Sequence, residues 1–224
     1  SLALKLISLI MPLCRIERLP VRSCPKVFII LFSLTVCGSH SISPVYSNVQ
    51  LLPQSVQTQR AELKNLKFDA AVLITSDSGK KEGGIVAVNK LERAGHRVLK
   101  VVHLKNDLMN IKKYLSKLTA SKISIVVCVG GTGIAPRNNT VEAVDSFIEK
   151  KLPGFGELFR YLTYKKWQHV SEDVGLLAMD TRACAGTKDK TVIYAVPGSP
   201  DAVELAMDEI IIPETPYLLG QLNK

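Results

Sequence analysis

Three strand-length apolar runs, each separated from the next by one segment of helical period, constrain this chain more than any other feature. The runs are residues 68–75 (F-D-A-A-V-L-I-T), 97–104 (R-V-L-K-V-V-H-L) and 123–129 (I-S-I-V-V-C-V). Their length and β-branched content read as strands. Between them, Ile85, Val86, Val88, Leu91 and Ala94, and then Leu108, Ile111, Tyr114, Leu115 and Leu118, recur on one helix face, with Gly95 as a stop signal after the first. A β-α-β-α-β order predicts a parallel sheet, because each right-handed crossover returns the chain to the same edge of the sheet.

The remainder continues in the same style. Thr140 is positioned to cap a helix carrying Val141, Val144, Phe147 and Ile148 and closing on Lys150-Lys151; Pro153-Gly154 breaks it. Phe155, Leu158, Phe159 and Leu162 mark a further helix, residues 176–179 and 191–196 read as strands around a turn at Ala185-Gly186-Thr187, and residues 201–212 form a helix ahead of Pro213 and Pro216. The expectation is one three-layer, doubly wound α/β domain over residues 61–224, with a mostly parallel sheet and helices on both faces.

Residues 1–60 differ from this pattern. They show no sustained period, and the apolar run at 27–37 falls short of the roughly 20 residues a spanning helix needs, so no stable membrane span is expected. Basic residues before that run and Gly38-Ser39 after it resemble a signal peptide; the alternatives are an extension without a role in the fold or a misassigned start. Composition bears on partners. Of the formal charge of +9, six Lys or Arg against the single acid Glu17 lie in residues 1–60, which leaves +4 scattered over the rest. Scattered charge of this kind is a solvated surface, and no nucleic-acid partner is expected. Cys128 and Cys184 are isolated small apolar residues of a reduced, cytoplasmic compartment rather than parts of a disulfide framework. His40, His96, His103 and His169 have no metal-ligand spacing.

Four loops fall where the carboxyl ends of the strands gather: Ser76-Asp77-Ser78-Gly79, Asn106-Asp107, the glycine turn Gly130-Gly131-Thr132-Gly133 with its continuation to Thr140, and Pro197-Gly198-Ser199-Pro200. In an open α/β sheet such loops line one crevice. The glycine turn exposes backbone N–H groups that suit phosphate oxygens, or it is a structural turn only; it matches neither G-x-G-x-x-G nor the Walker A pattern. Ser199 serves as a helix N-cap or as a ligand group, and Arg182 as a surface ion pair or an anion contact.

These loops resemble a known family. Gly130-Gly131-Thr132-Gly133 followed by Pro136-Arg137 and Thr140 is similar to the T-G-G-T-G-x-x-x-R-D-x-T signature of the MoaB/MogA molybdenum-cofactor biosynthesis proteins, which include the gephyrin G-type domains. The segment L-P-G-F-G-E-L-F-R at 152–160 resembles the family's P-G-F-G-E-x-F-R, T-R-A-C-A-G at 181–186 its S-R-A-x-A-G, and P-G-S-P at 197–200 its P-G-S/N-P. The resemblance implies a MoaB/MogA-like subunit, usually a homotrimer, that binds molybdopterin and, in active members, adenylylates it with Mg-ATP. It implies substrate contacts at Ser76, Asp77, Ser78, Gly130, Gly131, Thr132, Gly133, Thr140, Arg182, Pro197 and Gly198, catalytic positions at Asn138 and Ser199, and magnesium positions at Asn106 and Asp107. Two positions depart from the family: the acid of R-D-x-T is Asn138 here, and the acid after the second strand is Asn106. An amide keeps the shape but has no charge for a metal ion. Adenylylation of molybdopterin is therefore the first expectation, and a non-catalytic molybdopterin-binding carrier or scaffold the alternative.

Overall fold

Strands β1 (Asp69–Thr75), β2 (Arg97–Leu104), β3 (Ile125–Val129), β4 (Lys150–Lys151), β5 (Cys184–Lys188) and β6 (Thr191–Val196) form one sheet in the order β2-β1-β3-β6-β5-β4. This arrangement comes from a computed structural model, which describes residues 53–224. The signal-like run at 27–37, Cys14, Cys24, Cys37 and His40 lie outside the described residues. Helices are α1 (Gln54–Leu63), α2 (Glu82–Arg93), α3 (Leu108–Thr119), α4 (Thr140–Asp145), α5 (Pro153–Trp167), α6 (Glu172–Leu176), α7 (Pro200–Ala206) and α8 (Ile212–Leu222), with a wider π-helical turn, Met207–Ile211, between the last two. None of them is long and apolar enough to cross a membrane.

The apolar runs are continuous because the central strands are covered on both faces. Ala70, Val72, Ile74, Ile125, Val127, Val192, Tyr194 and Val196 point into one core with α2, α5, α7 and α8. Ala71, Leu73, Val126, Cys128, Ile193 and Ala195 point into the other, against α3 and α4. Each fully buried Leu or Ile of these cores stabilises the fold by about 1.5–3 kcal/mol relative to an exposed one. Strand β2 is an edge and alternates instead, leaving Leu99 and Val101 half exposed. Strands β2, β1, β3 and β6 are parallel, as the crossover argument requires, while β5 and β4 complete the sheet in antiparallel fashion. Chain order reverses between β1 and β3, and that switch point fixes where a crevice opens.

Several local expectations differ from the structure. Residues 176–179 are no strand: α6 and a turn occupy the region, and Leu176, Leu177 and Met179 are all more than half exposed. The fifth strand is Cys184–Lys188 instead, where a turn was expected; its sequence C-A-G-T-K has no alternation and is extended because it pairs on both edges. Lys150-Lys151 does not close a helix, since α4 stops at Asp145 and the lysines pair with Gly186 and Thr187. Pro213 and Pro216 do not end the C-terminal helix. Pro213 falls in the first turn of α8, where a missing N–H costs nothing, and the π-helical turn precedes it. A boundary at residue 60 falls inside α1, whose Arg60 pairs with Glu214 at 2.6 and 2.7 Å and lies over the Tyr217 ring.

Candidate functional site

The glycine turn leaves β3 in a conformation only glycine adopts readily: φ is +95° at Gly130 and +62° at Gly131. Gly130 N–H is spent on the Val196 carbonyl at 2.9 Å, which locks the turn to β6. Among the described residues, the N–H groups of Gly131, Thr132 and Gly133 have no backbone acceptor. A side chain at Gly131 would overlap Asn106 Oδ1 and Thr140 Oγ1, so the backbone there must come close to both.

Thr140 does not cap α4 as expected. Asn139 is the residue before the helix, and Thr140 is buried beneath the glycine turn. Its N–H donates to Gly131 O at 3.0 Å, and its hydroxyl meets Thr75 Oγ1 at 2.8 Å. Thr140 thereby ties the end of β1 to the glycine turn after β3, through one backbone and one side-chain hydrogen bond, beyond the last sheet pair of those strands.

Above this floor lies a cleft of about 760 Å³, within the range of small-molecule sites. Its lining brings together Ser76, Asp77, Ser78, Asn106, Gly130, Gly131, Thr132, Gly133, Asn138, Gly198 and Ser199 of the residues expected from sequence. It also includes Lys80, Lys81, Glu82, Gly83, Gly84 and Arg137. The second group was missed as site residues because the lysines read as surface charge and the glycines as a helix start. The signal was present, since S-D-S-G-K-K-E-G-G joins a small polar loop to a glycine-rich helix beginning. A side chain at Gly83 would collide with the Gly198 carbonyl, so α2 can begin at the cleft wall only with glycine there. No side chain caps α2, which leaves its first N–H groups for an anion.

Four expected residues stand apart from the lining. Thr140 is underneath it. Arg182 is held by Glu142 and donates to Gly133 O at 3.3 Å, so it braces the loop from behind. Asp107 caps α3 by accepting from Asn110 N–H at 2.7 Å. Pro197 belongs to a neighbouring cavity of about 310 Å³, lined also by Phe159, Trp167 and Leu177, which meets the cleft at Ser199. Ser199 occupies the N-cap position of α7, yet its hydroxyl makes no capping hydrogen bond.

Electrostatically the lining carries Lys80, Lys81 and Arg137 against Asp77 and Glu82. Asp77 is held below the usual carboxylate range, first by the Asn106 N–H, then by the Asn106 side chain, with Arg137 and Lys105 adding to it. Its Oδ1 accepts from Asn106 N at 2.9 Å and its Oδ2 from Asn106 Nδ2 at 3.3 Å. Asn106 Oδ1 is buried without a partner. Among the described residues, no three His, Cys, Asp or Glu side chains are placed to share a metal ion. Magnesium needs at least one available carboxylate beside the substrate phosphates. Asn138 and Asn106 are uncharged, Asp107 caps a helix and Asp77 is engaged by Asn106, so the positions that the resemblance implied for magnesium do not fit a protein-held ion, and Glu82 is the lining carboxylate that remains unengaged.

Residues 70–217 match the family model described as "Probable molybdopterin binding domain". The chain belongs to the MoaB/MogA family of molybdenum-cofactor biosynthesis proteins. Molybdenum cofactor biosynthesis protein B of Staphylococcus carnosus (strain TM300) is 40% identical over 170 residues, 71% of this chain and 96% of that protein. Its counterpart in Bacillus subtilis (strain 168) is 34% identical over 174 residues, 76% of this chain and 98% of that protein. Among solved structures, one of a Molybdenum cofactor biosynthesis protein B has a TM-score of 0.64 at 34% identity, covering 71% of this chain and 98% of that one. The tungsten cofactor synthesizing protein MoaB from Pyrococcus furiosus gives 0.62 at 28% identity, covering 70% and 98%. Family membership thus joins the mixed α/β fold to a part in molybdenum-cofactor biosynthesis.

Proposed function

We propose that the cleft binds molybdopterin and that the chain acts as a molybdopterin-binding carrier or scaffold of the pathway rather than as an adenylyltransferase. The observation that carries this reading is the donor set of the cleft. Backbone N–H groups of the glycine turn and of α2, the free Ser199 hydroxyl, and Lys80, Lys81 and Arg137 all favour a terminal phosphate. The smaller cavity beyond Ser199, with Phe159 and Trp167 in its walls, suits the flat pterin ring.

Nucleotidyl transfer to that phosphate asks for more. Charge builds on the transferred phosphoryl oxygens, and a carboxylate-held cation ordinarily offsets it. Here Asn106 engages Asp77, and Asn138 has no charge to contribute. Adenylylation with Mg-ATP is the second reading, favoured by the ionised Asp77 in the cleft wall. A homotrimer in the cytoplasm completes the proposal, and sedimentation of the purified chain tests the assembly.

Equilibrium dialysis of the full chain against molybdopterin, with and without Mg-ATP, separates the readings when the product is followed by mass spectrometry. The expected result is binding in both conditions without adenylylated pterin, and affinity falling about tenfold in Arg137→Gln as one charge-assisted bond is lost. Adenylylated product from the wild type would favour the second reading. Absence of pterin binding would sink both.

A further inference from the structure

We propose that Asn106 takes the place of a divalent cation in this cleft: its amide closes onto Asp77 and leaves no magnesium site at that carboxylate. The inference deepens the binding reading above and rests on it for the ligand alone. Asn106 approaches Asp77 with two donors, its backbone N–H to one carboxylate oxygen at 2.9 Å and its Nδ2 to the other at 3.3 Å. An oxygen in the position of Nδ2 would set a second carboxylate at that distance from the first. Two like charges so close persist only with a proton or a cation between them. The amide N–H supplies the positive pole at that point without any ion.

The rest of the residue shows that the arrangement is built in. Asn106 Oδ1 is buried with no partner and faces Gly131, where a Cβ would overlap it. Turning the amide over would take that oxygen away from Gly131 but aim it, still without a donor, at the Asp77 carboxylate, so the bond to Asp77 fixes the orientation. Backbone contacts hold the residue from both sides. The Asn139 side chain donates to Asn106 O at 2.9 Å, and the next residue, Asp107, is tied to the first turn of α3. These contacts fix the Asn106 backbone beside Asp77, and its two donors keep the amide on that carboxylate. The orphaned oxygen is the cost of keeping the amide in that orientation.

Magnesium itself is the probe. The full chain is titrated with MgCl2 at constant ionic strength and followed by calorimetry and thermal unfolding. Wild type is expected to show no saturable heat and no rise in Tm. Asn106→Asp is expected to melt lower without magnesium and to recover by roughly 5–10 °C at about a hundredfold excess over Kd. That recovery should vanish in the double variant Asn106→Asp/Asp77→Asn. Asp77→Asn alone keeps an uncharged pair and is expected to lose the same Tm with and without magnesium, which keeps the test decisive if Asn106→Asp does not fold. Saturable magnesium binding by wild type that Asp77→Asn removes would overturn the proposal, as would a folded Asn106→Asp chain that ignores magnesium. No readout involves the pterin, so a failure here is distinguishable from a failure of the binding reading.

Discussion

Replacing Gly131 by alanine tests whether the cleft floor is built by close approach of three segments. The backbone is left-handed there, φ +62°, and an L side chain in that region costs roughly 1–2 kcal/mol. The new methyl would also overlap Asn106 Oδ1, whose amide is held through Nδ2 by Asp77, and Thr140 Oγ1, which is bonded to Thr75. Displacing packed groups of this kind costs about 1–3 kcal/mol more. Gly79 supplies the control. Its φ is +76°, yet nothing lies within 4 Å of a Cβ added there, so Gly79→Ala should show the backbone cost alone. For a chain of this size about 2–4 °C of Tm accompanies each kcal/mol. Gly131→Ala should therefore melt lower than Gly79→Ala by about 2–12 °C, measured side by side by thermal unfolding and checked by urea midpoints. Equal losses in the two variants would refute the account of the floor, because the contact contribution would then be absent.

Other consequences follow from buried polar groups. Tyr194→Phe leaves the Thr215 hydroxyl, 3.0 Å from the phenol in the core, without its partner; the expected loss is about 1–3 kcal/mol by chemical denaturation, recovered in part by adding Thr215→Val. His96 stacks on Phe68 at 3.7 Å and is held neutral, its pKa lowered first by burial and then by Lys67. The unfolded chain then binds the extra proton first, so this contribution to stability is complete above the unfolded value of about 6.5 and is lost as pH falls below it. His96→Phe should show a flatter decline in Tm between pH 7.5 and 5.5 than wild type, roughly the span in which an unfolded histidine titrates. Burial pushes the Cys184 thiol up to about 12 and Cys128 higher still. Neither should react with iodoacetamide in the native chain near pH 8, and both should label in urea, as read by peptide mapping.

The parallel part of the sheet was legible because each central strand announces itself twice, by an unbroken apolar run and by the helix-period segment after it. The antiparallel part was not. Strand β5 is made of Cys184, Ala185, Gly186, Thr187 and Lys188, and nothing in those side chains prefers an extended backbone over a turn; pairing with β6 and β4 decides it. Leu176, Leu177 and Met179 misled in the opposite direction, being apolar without being buried. The candidate site was legible as four loops. Its cationic wall of Lys80, Lys81 and Arg137 was not, since a solvated lysine and a ligand-facing one look alike in a sequence.

By itself the sequence determined the layered α/β architecture, the glycine turn after β3 and the uncharged amides at positions 106 and 138, because periodicity and residue identity are local properties of the chain. Tertiary structure decided what those residues do. Only packing shows that Thr140 lies under the loop rather than at a helix start, that Arg182 belongs to Glu142, and that Asn106 is turned toward Asp77. Hydrogen-bond partners separated by 29 to 65 residues cannot be read from spacing, since the distance between them is set by how strands order themselves in the sheet.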